Sequence, residues 1–381
     1  MSIFARRLTV ENYRNFASFE LELDEHLTML VGRNAVGKTN LVEALQLLTA
    51  GRAFRRPAPA EMVLEGQDRC ALKLDLEGEG RVIDHGCRVE EGRRSFSRNG
   101  KRCPASGMRG VVPSVLFCPD DLDMVKRGAR VRRDAIDGFG VQLNESYAQL
   151  EGTYERAVEQ RNALLKEAYT TRELMGAWNE SLAATGAALT VHRLALLYRI
   201  RGYVRAFYAS LAGGEEADIS YTPTWECGGE DVIAAVASKE HERAHAIEIV
   251  RSRLEEAYEE RAEEEFRRGV TLVGPHRDEV TFTIAGRDAR TFASQGQQRS
   301  LVLAWKMAEV AVTRDILSRP PLLLLDDVMS ELDAARRTAF IAQIEDGVQT
   351  VITTTNLGYF DTETLERAKV VMIGEGEHAC G

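Results

Sequence analysis

Long hydrophobic runs are missing from this chain of 381 residues. No apolar stretch approaches the roughly 20 residues that a membrane helix requires, and residues 1–7 lack the apolar core of a signal peptide. The hydrophobic content of 44% and the charged content of 28% are those of an ordinary soluble protein. We therefore expect a cytoplasmic protein with no membrane association, long enough for two or three domains.

Cysteines are few and scattered. None of the six lies in a C-x-x-C pattern: Cys70, Cys87, Cys103, Cys118, Cys227 and Cys380. This spacing argues against a disulfide framework and against a zinc site, and it fits a reducing compartment.

Negative charge predominates, but the excess is uneven along the chain. The net charge is −10, which at first argues against a nucleic-acid partner. Residues 1–140 carry +3 and the remainder carries −13. Two windows, Arg93–Arg102 and Lys126–Arg133, contain five basic residues each and no acid. Such windows can bind phosphates whatever the total charge, or they can be a solvated loop and helix face.

The most informative stretch is Gly32–Thr39, which fits the phosphate-loop pattern G-x-x-x-x-G-K-[ST]. Residues 27–31 before it predict a buried strand, and Leu41, Leu45 and Leu48 after it recur at helical spacing. Loops of this kind direct backbone N–H groups and a helix N-terminus at phosphate oxygens. We expect all eight positions to bind nucleotide: Gly32, Arg33, Asn34, Ala35, Val36, Gly37, Lys38 and Thr39. Lys38 would supply charge to the outer phosphates, and Thr39 would supply a hydroxyl ligand for Mg²⁺.

Leu322–Asp327 places two carboxylates directly after four leucines. P-loop proteins use such a strand followed by an acid to hold Mg²⁺. Asp326 is the predicted metal ligand, directly or through water, and Asp327 is the predicted general base that polarises the attacking water. Without residues 32–39, the same aspartates could simply end a strand in a turn.

Two short segments accompany these acids in sequence. Ser294–Gln298 opens a helix before them, and Ser330–Asp333 follows them directly. In this order the motifs resemble the ABC-type ATPase head, in which the signature serine and its helix N-terminus approach nucleotide bound by a second subunit. The resemblance implies that Ser294 and Gly296 contact ATP, and that ATP joins two copies of the chain. It implies catalytic roles for four residues: Lys38, Ser294, Asp326 and Asp327. A simple helix N-cap is the other role open to Ser294, and both can hold together.

The expected fold is α/β, an ABC-type P-loop ATPase head. Its first lobe is split between residues 1–120 and 270–381, because strands are predicted to return at 270–273 and 280–284. A mostly helical second lobe occupies residues 121–269, and the signature at 294–298 lies at the lobe junction. Since the inserted region has no sustained heptads, we expect no long coiled coil.

Further stretches narrow the resemblance within this class. They are Glu11–Phe16, Phe117–Leu122 with Arg132, Arg133, Ile136 and Asp137, Gln160–Lys166, and Gly274–Glu279. Together with the ATPase motifs, they make the chain similar from end to end to the RecF family of bacterial recombination mediators.

The RecF resemblance implies an ATP-dependent homodimer that clamps double-stranded DNA near single-strand gaps and junctions. It implies partnership with RecR and RecO in loading RecA, roles in DNA repair, replication and SOS induction, and slow, switch-like hydrolysis. For DNA we expect salt-sensitive phosphate contacts from the two basic windows and from Arg52, Arg55 and Arg56. A transporter-type ATPase subunit and a nucleotide-binding scaffold without turnover are the alternatives.

The sequence departs from the class pattern at two places, and one further segment stays open. Asp327 stands where the class usually has glutamate, and the shorter side chain would suit slow turnover. Thr353–Asn356 stands where the class has a switch histidine, so these hydroxyls are candidates for sensing the γ-phosphate. His276 and Arg277 form either a structured turn or a contact with nucleotide, DNA or a second subunit.

Overall fold

A computed structural model describes residues 3–374 of the chain, apart from 168, 170, 230–231, 233–235, 237–239 and 345–346. The chain forms two compact units. The first unit combines Met1–Leu122 with Glu309–Gly381, and the second is Asp123–Ala308. Of the six cysteines, Cys380 lies outside the described residues, and the other five are free thiols.

Among the described residues, strands predominate at the N-terminal end of the chain, and strands alternate with helices at the C-terminal end. The strands are β1 (Phe4–Tyr13), β2 (Phe16–Glu22), β3 (Leu27–Val31), β4 (Arg69–Gly78), β5 (Arg81–Glu90), β6 (Arg93–Arg98), β7 (Lys101–Cys103), β8 (Ser114–Phe117), β9 (Ala217–Thr222), β10 (Glu279–Ile284), β11 (Arg287–Asp288), β12 (Leu322–Asp326), β13 (Thr350–Thr354) and β14 (Lys369–Met372). The helices are α1 (Lys38–Ala50), α2 (Ala129–Leu143), α3 (Glu145–Leu164), α4 (Arg172–Leu211), α5 (Glu240–Arg268), α6 (Ala289–Phe292), α7 (Gln295–Leu317), α8 (Ala334–Ile341) and α9 (Thr362–Glu366).

A parallel five-stranded sheet carries the predicted phosphate loop. Its order is β14-β3-β13-β12-β8, and every neighbouring pair is parallel. Strand β12 is buried along its whole length, as expected for a continuous apolar run in a sheet covered on both faces. Because the strands are parallel, β3, β12 and β13 all end at one edge, where α/β proteins bind ligands.

The other sheet of the first unit is antiparallel, in the order β2-β1-β4-β5-β6-β7. Leu72, Leu74 and Leu76 alternate inward from β4 and share a hydrophobic core with Leu41 and Leu45 of α1. The Asn99-Gly100 turn, a dipeptide typical of hairpin turns, joins β6 to β7, with both residues at positive φ (50° and 70°), the geometry of a tight hairpin.

The second unit is mainly helical and also contains the three-stranded sheet β11-β10-β9. An apolar stripe at helical spacing on α3 supplies Tyr147, Tyr154 and Val158 to its core. Within this core, the Arg161 guanidinium donates to Glu265 at 2.6 Å, and both side chains are almost fully buried.

The unit boundaries differ from the expected lobes at the second crossing. The first crossing lies at residue 122 rather than 120, but the second lies at 309 rather than 270. Residues 270–308 belong to the second unit because β10 pairs with β9 over six residues. The strand expected at 270–273 does not form. Side chains satisfy its backbone instead: Asn162 accepts from Thr271 N at 2.6 Å, and Glu265 accepts from Leu272 N at 2.7 Å.

Among the described residues, no helix combines the length and the apolar character needed to cross a membrane.

Candidate nucleotide site

The loop between β3 and α1 has a backbone that requires glycine at two positions. A Cβ on Gly32 would lie 2.5 Å from the carbonyl oxygen of Ile373. Gly37 has φ +107°, and a Cβ there would lie 2.6 Å from the Asn15 side chain and 2.7 Å from the Phe16 ring. The loop is thus held against β1–β2 too closely for any side chain at Gly37.

Lys38 begins α1 and turns back over the loop. Its ammonium group donates to the carbonyl oxygens of Gly32 at 2.7 Å and Arg33 at 2.8 Å, and only 6% of the residue is exposed. Burial lowers the pKa of Lys38, while the nearby carboxylates of Asp327 and Asp326 oppose that shift. A positive charge is therefore fixed at the centre of the loop.

Thr39 and Asp326 meet at the predicted metal position. The Thr39 hydroxyl donates to Asp326 Oδ1 at 3.0 Å, and Asp326 is 3% exposed. Burial raises the pKa of Asp326, and hydrogen bonds from the Thr353 and Thr39 hydroxyls oppose the rise. A hydroxyl and a carboxylate are the hard oxygen ligands that suit Mg²⁺.

Asp327 adopts the left-handed conformation, with φ 53° and ψ 23°. Two hydrogen bonds hold its peptide: Asp327 N donates to Thr353 Oγ1 at 2.8 Å, and the Ser330 hydroxyl donates to Asp327 O at 2.8 Å. Desolvation raises the pKa of Asp327, whereas Lys38 lowers it. A half-buried carboxylate with a raised pKa is a stronger base than one in water.

Asn15 supports the loop, a role that sequence reasoning did not assign. Its amide donates to the Val36 carbonyl at 3.0 Å and accepts from the Asn40 amide at 2.7 Å. The sequence placed Asn15 only within the family signature at residues 11–16. An asparagine in a strand turn usually bonds its own backbone, so nothing local indicated a partner in the loop.

A buried carboxylate anchors α1 to the first strand. Glu43 is fully buried and accepts from the Tyr13 hydroxyl at 3.0 Å and from Arg14 at 2.8 and 3.2 Å. Arg14 also donates to the Glu61 carbonyl at 2.9 Å. Arg14 is therefore engaged in holding the helix in place.

The signature motif opens α7 in the second unit. Ser294 Oγ accepts from Gln297 N at 3.2 Å, and Gln297 Oε1 accepts from Ser294 N at 2.9 Å, which together form a capping box. The predicted N-cap role of Ser294 is thus present. The serine is exposed, and Gly296 follows it in the first turn. Ser294 and Gly296 belong to a different unit from the phosphate loop.

His276 and Arg277 are engaged in a structured turn of the second unit. Thr271 O accepts from His276 at 3.2 Å, and the other ring nitrogen of His276 lies 2.7 Å from the Tyr154 hydroxyl. Arg277 donates to the same Thr271 carbonyl at 3.0 and 3.1 Å. These contacts match the structured-turn alternative.

The basic windows divide into engaged and exposed residues. Arg132 is buried and bonds both carboxylate oxygens of Glu279 at 2.8 Å, together with three backbone carbonyls. Arg133 donates to the Asp278 carbonyl at 2.7 Å. Arg94 and Arg98 bond the carbonyls of Pro57 and Arg109. The expectation that Arg132 contacts DNA is therefore wrong, because its side chain stabilises the second unit. The exposed residues among the DNA candidates are Arg55, Arg56, Arg93, Lys101, Arg102, Lys126, Arg127 and Arg130; the last two also form ion pairs with Asp123 and Asp134.

Taken together, the loop and the acids fit a nucleoside triphosphate with Mg²⁺. The glycine cradle excludes side chains, the Lys38 ammonium is fixed by the loop carbonyls, and Thr39 and Asp326 present oxygen ligands in contact with each other.

Comparisons with known proteins agree with this geometry. The family model of the RecF/RecN/SMC N terminal domain matches residues 4–375. The chain is 35% identical over 382 residues to the DNA replication and repair protein RecF of Gloeobacter violaceus, with 98% of each covered. It is 37% identical over 357 residues to the RecF of Symbiobacterium thermophilum, with 93% of this chain and 92% of the relative covered.

Solved structures of RecF proteins are also similar to this chain. One described as "Structure of the recombination mediator protein RecF-ATPrS in RecFOR pathway" matches with a TM-score of 0.84, 26% identity and 94% coverage of both chains. Its counterpart described as RecF-ATP matches with a TM-score of 0.83 and 27% identity. An Smc head is similar in fold alone, with a TM-score of 0.55 and 14% identity. The chain belongs to the RecF family of DNA replication and repair proteins, within the SMC-like P-loop ATPases.

Proposed function

We propose that this protein is an ATP-dependent DNA-binding protein of recombinational DNA repair, which dimerises on ATP and binds duplex DNA at single-strand gaps. One observation carries the proposal. Lys38, Thr39, Asp326 and Asp327 converge in one unit of a chain that matches RecF along nearly its whole length.

Residues of the first unit would bind the nucleotide. The backbone N–H groups of Gly32–Thr39 would cradle phosphate oxygens, and Lys38 would neutralise the outer phosphates. Thr39 and Asp326 would hold Mg²⁺. ATP with Mg²⁺ supplies the γ-phosphoryl group for transfer to water.

Asp327 would accept the proton of the attacking water. Its raised pKa and its fixed peptide favour this role. The side chain is one methylene shorter than glutamate and reaches water less well. Slow hydrolysis, suited to a switch that resets DNA binding, follows from that shorter reach.

Ser294 would complete the nucleotide site of a second copy. Its hydroxyl accepts one hydrogen bond within α7, so its proton stays available to a phosphate oxygen. Together with Gly296, the helix N-terminus supplies further N–H donors to an anion. Nucleotide would then join two subunits, and its hydrolysis would release them.

DNA contact would come from the exposed basic residues of both units. The first unit supplies Arg93, Lys101 and Arg102, with Arg55 and Arg56, and the second supplies Lys126, Arg127 and Arg130. Contacts of this type bind phosphates and are sensitive to salt. RecR and RecO would act with the DNA-bound dimer to load RecA, which accounts for the proposed roles in replication and SOS induction.

Light scattering with and without ATP and Mg²⁺ tests the central step. The wild type should double in mass with ATP and Mg²⁺, because each nucleotide would then bridge two copies. Lys38→Arg should remain a monomer, since the bulkier guanidinium cannot occupy the position that the loop carbonyls fix for the ammonium. Lys369→Arg, an exchange of the same type at a partly exposed ion pair with Glu22, is the matched control and should dimerise normally. A wild type that stays monomeric at saturating ATP, with and without duplex DNA, would contradict the proposal.

A further inference from the structure

One side chain contacts both aspartates of the nucleotide site. Thr353 lies near the end of β13 and is in register with Asp326 of the neighbouring strand β12. Its side chain is fully buried. Its Oγ1 lies 2.9 Å from Asp326 Oδ1 and 2.8 Å from Asp327 N. A single hydroxyl therefore bridges the predicted metal ligand and the peptide of the predicted base.

The direction of each bond follows from the donors available. Asp327 N can only donate, so Thr353 Oγ1 accepts there. A hydroxyl has one proton, and that proton is donated to Asp326 Oδ1. The Thr39 hydroxyl donates to the same oxygen at 3.0 Å. Two hydroxyls thus fix the Asp326 carboxylate, one from the phosphate loop and one from β13.

The same hydroxyl holds a backbone that is uncommon for a residue other than glycine. Asp327 has φ 53°, in the left-handed region that side chains disfavour. The Thr353 hydroxyl accepts from the Asp327 N–H, and the Ser330 hydroxyl donates to the Asp327 carbonyl. Both backbone polar groups of Asp327 are therefore fixed. The direction of the Asp327 side chain depends on this conformation.

We propose that Thr353 is a positioning residue that aligns Asp326 and Asp327 as one unit. The inference rests on the proposed ATPase function and adds a residue to it. It also revises the sequence-based expectation for the threonines at the end of β13. The Thr353 proton is committed to Asp326, and Thr354 bonds the backbone of Asn356 at 3.1 Å. Both hydroxyl protons are therefore donated to acceptors within the protein.

Three variants separate the hydroxyl from packing. Thr353→Val keeps the volume and removes the hydroxyl, and Thr353→Ser keeps the hydroxyl. Thr350→Val removes the hydroxyl of another buried threonine of β13, which donates to the Val348 carbonyl at 3.1 Å, and it serves as the matched control. Mutation of a residue that orients a metal ligand typically lowers metal affinity or activity by about 10–100-fold.

For Thr353→Val we expect kcat to fall about 10–100-fold and the half-saturating Mg²⁺ concentration to rise about tenfold. Binding of a fluorescent ATP analogue in EDTA should stay within about twofold, since the loop and Lys38 are unchanged. Thr353→Ser and Thr350→Val should stay within about threefold of the wild type in both kinetic measurements.

An active Thr353→Val with normal Mg²⁺ dependence, or a Thr353→Ser as impaired as the valine variant, would overturn the inference while the ATPase function stands. A wild type with no Mg²⁺-dependent turnover would instead overturn the proposed function, and the inference with it.

Discussion

At the scale of single residues, different neighbours give the adjacent carboxylates of Asp326 and Asp327 different properties. Asp326 is buried and fixed by two hydroxyl donors, which suits a metal ligand. Asp327 is half-buried with its peptide fixed and Lys38 nearby, which suits proton transfer. Both roles were predicted from the leucine run and the two acids, and both remain proposals. The hydroxyl that contacts both belongs to Thr353, 26 residues after Asp327; the sequence indicated γ-phosphate sensing for this residue and not the contact with the two aspartates.

Asp327 gives a prediction about catalysis. We expect Asp327→Asn to lower kcat by about 10²–10⁴, the usual contribution of a general base, because the amide cannot accept the water proton. ATP affinity should stay within a few fold. Asp327→Glu should raise kcat if reach limits the wild type. Steady-state phosphate release measures all three proteins.

An exposed acid of the first unit supplies the control for this series. Glu363→Gln should hydrolyse ATP at the wild-type rate, since Glu363 lies in the first turn of α9. Equal rates for Asp327→Asn and the wild type would remove Asp327 from the chemistry.

Helix α1 is held by polar contacts with distant segments in addition to its hydrophobic core. Helix α1 is anchored by Asn15 at its N-terminal loop, by Tyr13 and Arg14 through Glu43, and by His85 at the Leu48 carbonyl near its C-terminus (2.7 Å). These partners lie in strands β1 and β5 of the antiparallel sheet or in the turn between β1 and β2. The phosphate loop therefore depends on a sheet that carries none of the nucleotide motifs.

The turn at residues 274–279 gives a prediction about pH. Burial lowers the pKa of His276 to about 4; its hydrogen bond to the Thr271 carbonyl opposes the shift, and nearby arginines add to it. Between pH 6.5 and 4 the unfolded chain binds a proton at this histidine and the folded chain does not. The free energy of unfolding should therefore fall as the pH drops through this window, by on the order of 1–3 kcal/mol from His276.

Comparison with His276→Gln isolates this effect from other histidines, since burial also lowers the pKa of His85 and His192. Trp178, Trp225 and Trp305 all lie in the second unit, so tryptophan fluorescence in urea at pH 5 and pH 7.5 follows that unit. The variant should lose part of the pH dependence, whereas His26→Gln, at an exposed histidine, should keep it. An unchanged slope for His276→Gln would show that His276 titrates normally.

At the scale of the whole molecule, the exposed basic residues of this acidic protein give a prediction about DNA binding. Replacing Arg93, Lys101 and Arg102 by glutamine should weaken duplex binding at low salt. The slope of log affinity against log salt should decrease by up to about 3, because each phosphate contact contributes about 0.9. Fluorescence anisotropy with labelled duplex, from 50 to 300 mM salt, measures both quantities.

A triple variant of equal charge change provides the comparison. Arg253, Arg261 and Arg268 are exposed on α5 and are paired with Glu256 and Glu264. Their replacement by glutamine should leave the salt slope nearly unchanged. If both triple variants bind DNA as the wild type does, the contact surface lies elsewhere.

Several features of this protein could be predicted from short sequence segments alone. The phosphate loop, the strand that ends in two aspartates, the Asn99-Gly100 turn and the N-cap at Ser294 each depend on a few neighbouring residues and their allowed backbone conformations. The α/β class and the family followed from the order of these motifs.

Contacts between residues far apart in the sequence could be identified only from the tertiary structure. The pairing of β10 with β9 assigned residues 270–308 to the second unit, and the ion pair of Arg132 with Glu279, 147 residues apart, removed an arginine from the DNA candidates. The bonds of Thr353 and Asn15 depend on strand register and on the seating of a loop. A hydrogen bond forms only where two groups lie within about 3 Å, and for residues far apart in sequence that distance is set by how the elements pack.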